Sequence, residues 1–103
     1  MSTKAGSDRK TGGWTFLSNH GHVLVALSKD PRARIRDISA AVGITERAVL
    51  LILSDLEREG ILERIREGRR NRYVLRLGAP LRHPLEEHRS VGELVAMVSG
   101  RRT

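Results

Sequence analysis

Between Ser18 and Gly60 the apolar residues recur at helical spacing in three separate runs. The first run sets Val23, Leu24 and Leu27 on one face, with Ser18 or Asn19 as its N-cap and Lys29, Asp30 and Pro31 as its stop. Phe16 and Leu17 are expected to pack beside its start. The second run, IRDISAAVG, places Ile35, Ile38 and Val42 at i, i+3 and i+7, and Gly43 ends that short helix as a C-cap. The third opens at Thr45, an N-cap followed by Glu46 at the positive end of the helix dipole. Its buried stripe is Val49, Ile52, Leu53 and Leu56, and Gly60 supplies the left-handed residue on which the chain leaves a helix spanning residues 45–59.

After Gly60 the period changes. ILERIRE and RYVLRL are short runs rich in β-branched and aliphatic residues, separated by Gly68, Arg69, Arg70 and Asn71, and they predict a β-hairpin over residues 61–77. Alternation puts Tyr73, Leu75 and Leu77 on one face of the second strand and Arg72 and Arg76 on the other. Gly78, Pro80 and Pro84 make residues 78–89 an extended linker, after which Ser90 and Glu93 form a capping box for a last helix lined by Val91, Leu94, Val95 and Val98. That short stripe needs a partner, either the first helix or a second subunit, and a contribution to a dimer is the favoured expectation. Residues 1–13 are small, polar and glycine-rich, without apolar periodicity, and are expected to be a disordered basic tail, although such an arm can also touch DNA.

The expected architecture is mainly α with a small β-hairpin (α+β): a three-helix core, a two-stranded wing and a C-terminal helix. The domain covers residues 14–77, with residues 78–103 as linker and final helix. Helix, tight turn, helix and an arginine-tipped hairpin form an arrangement that lets the second helix of the pair enter a major groove while the hairpin reaches flanking backbone.

Composition sharpens this picture. The 103 residues suit one small domain, and aromatics at 3% leave the core to Leu, Ile, Val and Ala. A net charge of +7 and a pI near 11.2 favour a polyanionic partner. Of the 19 basic residues 16 are arginine, the fork-shaped cation suited to phosphates and guanine edges, although codon bias gives the same ratio. Cysteine is absent and no apolar run is long enough to cross a bilayer, so a cytoplasmic location is expected.

With IRDISAAVGITERAVLLILSDLEREGIL followed by EGRRNRY, the stretch from about Trp14 to Leu77 resembles the winged helix-turn-helix transcriptional regulators of the broad MarR-like and ArsR-like group. The resemblance implies a homodimer on double-stranded DNA at pseudo-palindromic sites, with the third helix in the major groove and the wing on backbone or minor groove. It places Thr45, Glu46, Arg47, Leu50 and Leu51 on the DNA-facing side of that helix and Arg69, Arg70 and Arg72 on the wing. Arg47 is the candidate base reader, through a bidentate contact to guanine. The chain departs from the family pattern at Leu50 and Leu51, where polar or basic side chains are common. Two leucines cannot hydrogen-bond base edges. They can press on thymine methyl groups, be buried against another helix or chain, or form a separate protein-binding surface.

Charge is concentrated around the hairpin. From Glu63 to Arg76 there are six arginines (Arg64, Arg66, Arg69, Arg70, Arg72, Arg76) against two carboxylates (Glu63, Glu67), and Arg32, Arg34 and Arg36 form a second group before the helix-turn-helix. Both groups facing one way would make a phosphate-binding strip, while a merely solvated charge run accounts for the same letters. Other chemistry is thin. His20 and His22 are two residues apart, about 200 degrees around a helix, and their only companions are His83, His88, Glu86 and Glu87, so no metal or other cofactor is expected. No nucleophile elbow, phosphate-binding glycine loop or HExxH is present, and enzymatic activity is not expected. Whether a small-molecule effector exists cannot be read from the letters.

Overall fold

The computed structural model describes residues 13–100. Along the chain run α1 (Asn19–Lys29), α2 (Ile35–Val42), α3 (Glu46–Arg58), β1 (Leu62–Glu67), β2 (Arg70–Leu75) and α4 (Val91–Ser99). The expected fold is the one found: three helices around one aliphatic core, a two-stranded antiparallel wing and a final helix. The tail expected over residues 1–13 lies outside the described residues apart from Gly13.

Each helix begins and ends where local chemistry dictates. Ser18 caps α1 by accepting from Gly21 N–H, and Thr45 caps α3 by accepting from Ala48 N–H at 3.0 Å. The turn between α2 and α3 is fixed by three bonds to one residue. Gly43, at φ +85°, donates its N–H to Ser39 O at 2.8 Å, Ile44 N–H follows at 3.2 Å, and the Ser39 hydroxyl donates to Ile44 O. A side chain at that φ is strained, so glycine sets the angle between the two helices.

The core gathers Val23, Leu24 and Leu27 from α1, Ile38 from α2, and Val49, Ile52, Leu53 and Leu56 from α3, all buried. Ile35 and Val42 pack against it half-buried. No polar or charged side chain is buried among the described residues. The wing joins the same body through Ile61, Leu62 and Tyr73, and Tyr73 N–H donates to Pro31 O at 2.9 Å, stitching β2 to the α1–α2 connection.

Four details differ from the sequence expectation. The hairpin loop is only Gly68 and Arg69, because Glu67 pairs with Arg70 and Gly68 takes φ +64°, as a two-residue primed turn requires; Arg70 and Asn71 belong to β2. Leu77 lies beyond the strand and is exposed. Residues 78–89 are a loop of successive turns rather than an extended linker, closed where Pro80 bridges Ser90 and Leu81 N–H donates to Arg89 O at 2.9 Å. Phe16 is not buried beside α1: it is 92% exposed and forms a T-shaped pair with Trp14, ring centroids 4.9 Å apart.

The last helix docks within its own chain, against α1. Val91 and Val95 are buried and Leu94 half-buried, while Met97 and Val98 face solvent. Its capping box forms as expected, with Glu93 accepting from Ser90 N–H at 2.9 Å and Ser90 accepting from Glu93 N–H at 3.1 Å. No helix of the described residues is long and apolar enough to cross a membrane.

Candidate nucleic-acid interface

With Val49, Ile52, Leu53 and Leu56 turned inward, the opposite side of α3 is set by the 3.6-residue period. Arg47, Leu50, Leu51 and Ser54 fall within an arc of about 100 degrees centred away from the core, and all four are exposed. Leu50 is 51% and Leu51 60% exposed, so neither is buried against another part of the described chain. Thr45 and Glu46 sit at the N-terminal end of this face, the threonine hydroxyl committed to capping.

The arginines divide into paired and free. On the wing, Arg72 donates from Nε to Glu67 at 2.8 Å, and Arg32 donates from Nε to the other oxygen of the same carboxylate at 3.0 Å. Hydrogen bonding to Arg72 first, and to Arg32 second, holds the Glu67 carboxyl below its ordinary range. Arg64 forks onto Glu57 of α3, and this charge-assisted contact raises its guanidinium above the usual arginine value. Arg76 stands 3.8 Å from Glu63, and Arg58 pairs with Asp55.

Among the described residues, Arg34, Arg36, Arg47, Arg66, Arg69 and Arg70 have no carboxylate within ion-pair distance. Arg34 and Arg36 flank the start of α2, where Asp37 accepts from Arg34 backbone N–H at 3.1 Å and leaves the Arg34 side chain outward. Arg66 donates to Gly68 O at 2.8 Å, and Arg70 donates to Arg32 O at 2.7 Å. Both bonds are to neutral carbonyls, so the full positive charge of each guanidinium remains at the wing tip. The Arg70 bond also ties the wing tip to the α1–α2 connection at Arg32.

The order of residues shows where arginines cluster along the chain but not which of them are paired. Of the expected site residues, Arg34, Arg36, Arg47, Arg69 and Arg70 carry charge available to a polyanion, whereas Arg72 is half-buried in an ion pair. Arg66, which was counted only as part of the hairpin's charge, joins the free set. Alternation alone gives no sign of it, since the deciding contact is the cross-hairpin reach of Glu67 to Arg72 and Arg32.

A second polar cluster borders this face towards the end of α3. His20 Nε2 donates to Asp55 Oδ2 at 2.8 Å, linking the start of α1 to α3, and this bond first, with that from Arg58 next, holds the Asp55 carboxyl below its ordinary range. It borders a cleft of about 730 Å³ between α1, the end of α3 and the loop from Pro80 to Glu86, in which Arg82 faces Glu59 at 3.5 Å. No group of three or more metal-ligating side chains gathers among the described residues.

The family model described as winged helix-turn-helix DNA-binding matches residues 18–63. No curated protein matches the chain significantly. Among solved structures, the PcaV transcriptional regulator from Streptomyces coelicolor, crystallised with its natural ligand, is similar at 27% identity and TM-score 0.53, over 84% of this chain and 60% of that one. A MarR family transcription regulator is similar at 25% identity and TM-score 0.52, over 82% of this chain and 48% of the other. MepR, a transcription regulator of the Staphylococcus aureus multidrug efflux pump MepA, shares the fold at 23% identity and TM-score 0.52, over 81% and 55% of the two chains. The chain thus spans about half to three fifths of these regulators' lengths.

Proposed function

Because the chain carries a winged helix-turn-helix DNA-binding module and has the fold of MarR-family transcription regulators, we propose that it is a cytoplasmic transcriptional regulator that binds double-stranded DNA. The observation that carries this reading is the distribution of free charge: Arg47 on the outer face of α3, and Arg34, Arg36, Arg66, Arg69 and Arg70 without a carboxylate partner among the described residues.

Each part has a separate physical task. Arg34, Arg36, Arg66, Arg69 and Arg70 set affinity by displacing counterions from phosphates. The N-terminal part of α3 approaches base edges, where Arg47 can fork onto the O6 and N7 acceptors of a guanine and Glu46 can accept from a cytosine amino group. Thr45 keeps the first turn of α3 in place and offers its backbone to the phosphate nearby. A homodimer is part of the proposal, supported by the apolar side chains of Met97 and Val98 that α4 leaves outside the core.

Titrating labelled duplex at rising salt tests the reading. Log K should fall linearly with log salt at a slope of roughly −0.9 per phosphate neutralised. Absence of duplex binding at low salt would end it.

A further inference from the structure

The outward face of α3 has an unusual composition for a surface that meets solvent. Two adjacent leucines, 51% and 60% exposed, lie between Arg47 on one side and Ser54 on the other. The core does not require them, since the buried stripe of α3 is complete without either. Nor do they belong to a wider apolar surface on this helix, because Glu46, Arg47, Ser54 and Asp55, one turn away on either side, surround them with polar groups. An exposed apolar pair one turn from Arg47, which has no carboxylate partner among the described residues, suits a polyanion that itself displays apolar spots at fixed depth. The DNA major groove is such a surface, because each thymine places its C5-methyl there.

Taking α3 as the groove-reading helix of the proposed function, we infer that Leu50 and Leu51 are specificity-determining residues that read thymine methyl groups beside a guanine held by Arg47. The selection has two parts. Against thymine, each leucine removes apolar area from water together with a methyl group. A G·C pair, like an A·T pair, has polar edge groups that a leucine covers without replacing their hydrogen bonds, but it offers no methyl group to offset that cost, so it is disfavoured. Spacing along the helix adds a pattern. Three or four residues at 1.5 Å rise separate Arg47 from the leucines by about 4.5 to 6 Å, on the order of one to two base-pair steps of 3.4 Å. The preferred half-site therefore places a guanine one or two steps from thymines.

The experiment uses the full chain and a duplex recovered from random-sequence DNA by repeated binding. A second copy of that duplex carries uracil in place of every thymine, which deletes the methyl groups and leaves every Watson–Crick pair. The wild type should bind the uracil duplex about fourfold more weakly for each thymine contacted, the factor expected for one buried methyl group. The double variant Leu50→Ala, Leu51→Ala should bind the two duplexes alike. Equal affinity of the wild type for both duplexes would overturn the inference while leaving DNA binding intact. So would a double variant that keeps its thymine preference and instead loses self-association, which would assign the leucines to a protein contact. Failure to recover any duplex would remove the underlying function as well. Because equal affinity of the wild type for the two duplexes overturns the inference without any variant, the proposal stays open to refutation even if the variant folds poorly.

Discussion

Arg72 and Glu67, five residues apart and on either side of the hairpin turn, meet through a 2.8 Å hydrogen bond from Nε to the carboxylate. The same carboxylate holds Arg32 from the α1–α2 connection at 3.0 Å, so one acid quenches two cations next to the wing tip. Replacing Glu67 with Gln should release both. Duplex affinity is expected to rise severalfold at low salt, with a salt slope steeper by about one to two phosphates' worth, because two more guanidinium groups become available. The fold should change little, since exposed ion pairs contribute little to stability. Fluorescence anisotropy across a salt series, with thermal melts alongside, checks both halves.

Arg47 should behave differently from the wing arginines. Arg47→Ala is expected to lower affinity for a selected site by roughly 1 to 3 kcal/mol, the value of a bidentate arginine–guanine pair, and to relax preference at one base position. Arg69→Ala should weaken binding to selected and random duplexes by similar factors, since phosphates carry no sequence. Parallel titrations on both duplexes separate the two roles.

These contrasts were only partly legible in the sequence. The stripe of Val49, Ile52, Leu53 and Leu56, the Thr45 cap and the Gly43 turn are local features, fixed by residues within one or two helical turns, and all appear where the letters place them. The assignment of charge was not legible, because it depends on contacts 35 residues apart, as between Arg32 and Glu67. Periodicity left Leu50 and Leu51 between burial and exposure; the fold exposes both. Phe16 misled for a related reason: an apolar residue outside a periodic run has no face assigned to it, and here it points to solvent.

α4 reads the same way. Its stripe was expected to need a partner, and the partner within the chain is α1. The start of α4 also rests on the segment after β2 at Gly92, whose N–H donates to Leu77 O at 2.8 Å and where an added Cβ would lie 2.9 Å from that backbone oxygen. Gly92→Ala should therefore push the start of α4 off the body, costing on the order of 1 to 3 kcal/mol by overpacking. Chemical denaturation, with hydrogen exchange at Val91 and Val95, would report the loss, and an unchanged midpoint would contradict the packing described.

Acid stability follows from three carboxylates held below their ordinary ranges. Glu67 is lowered by Arg72 and then Arg32, Asp55 by His20 and then Arg58, and Glu93 by the Ser90 backbone N–H and then Arg89. A depressed carboxylate stabilises the fold fully above its unfolded value, near 3.8 for Asp and 4.5 for Glu, and the contribution is lost as pH falls through the folded value below that. The melting temperature should accordingly show no loss from these groups down to about pH 5 and only a small decline from them below about pH 4, because solvent-exposed pairs contribute little. Melts of Glu93→Gln should show a smaller acid-side decline than wild type.

The most direct test of the interface is to map it by NMR, following backbone amides of the full chain as duplex DNA is added. Shifts and line broadening should concentrate on Arg34 and Arg36, on the α3 segment from Thr45 to Ser54, and on Gly68, Arg69 and Arg70, fading as salt is raised. Changes confined to α1, α4 or the loop from Pro80 to Glu86, with the outer face of α3 silent, would contradict the account.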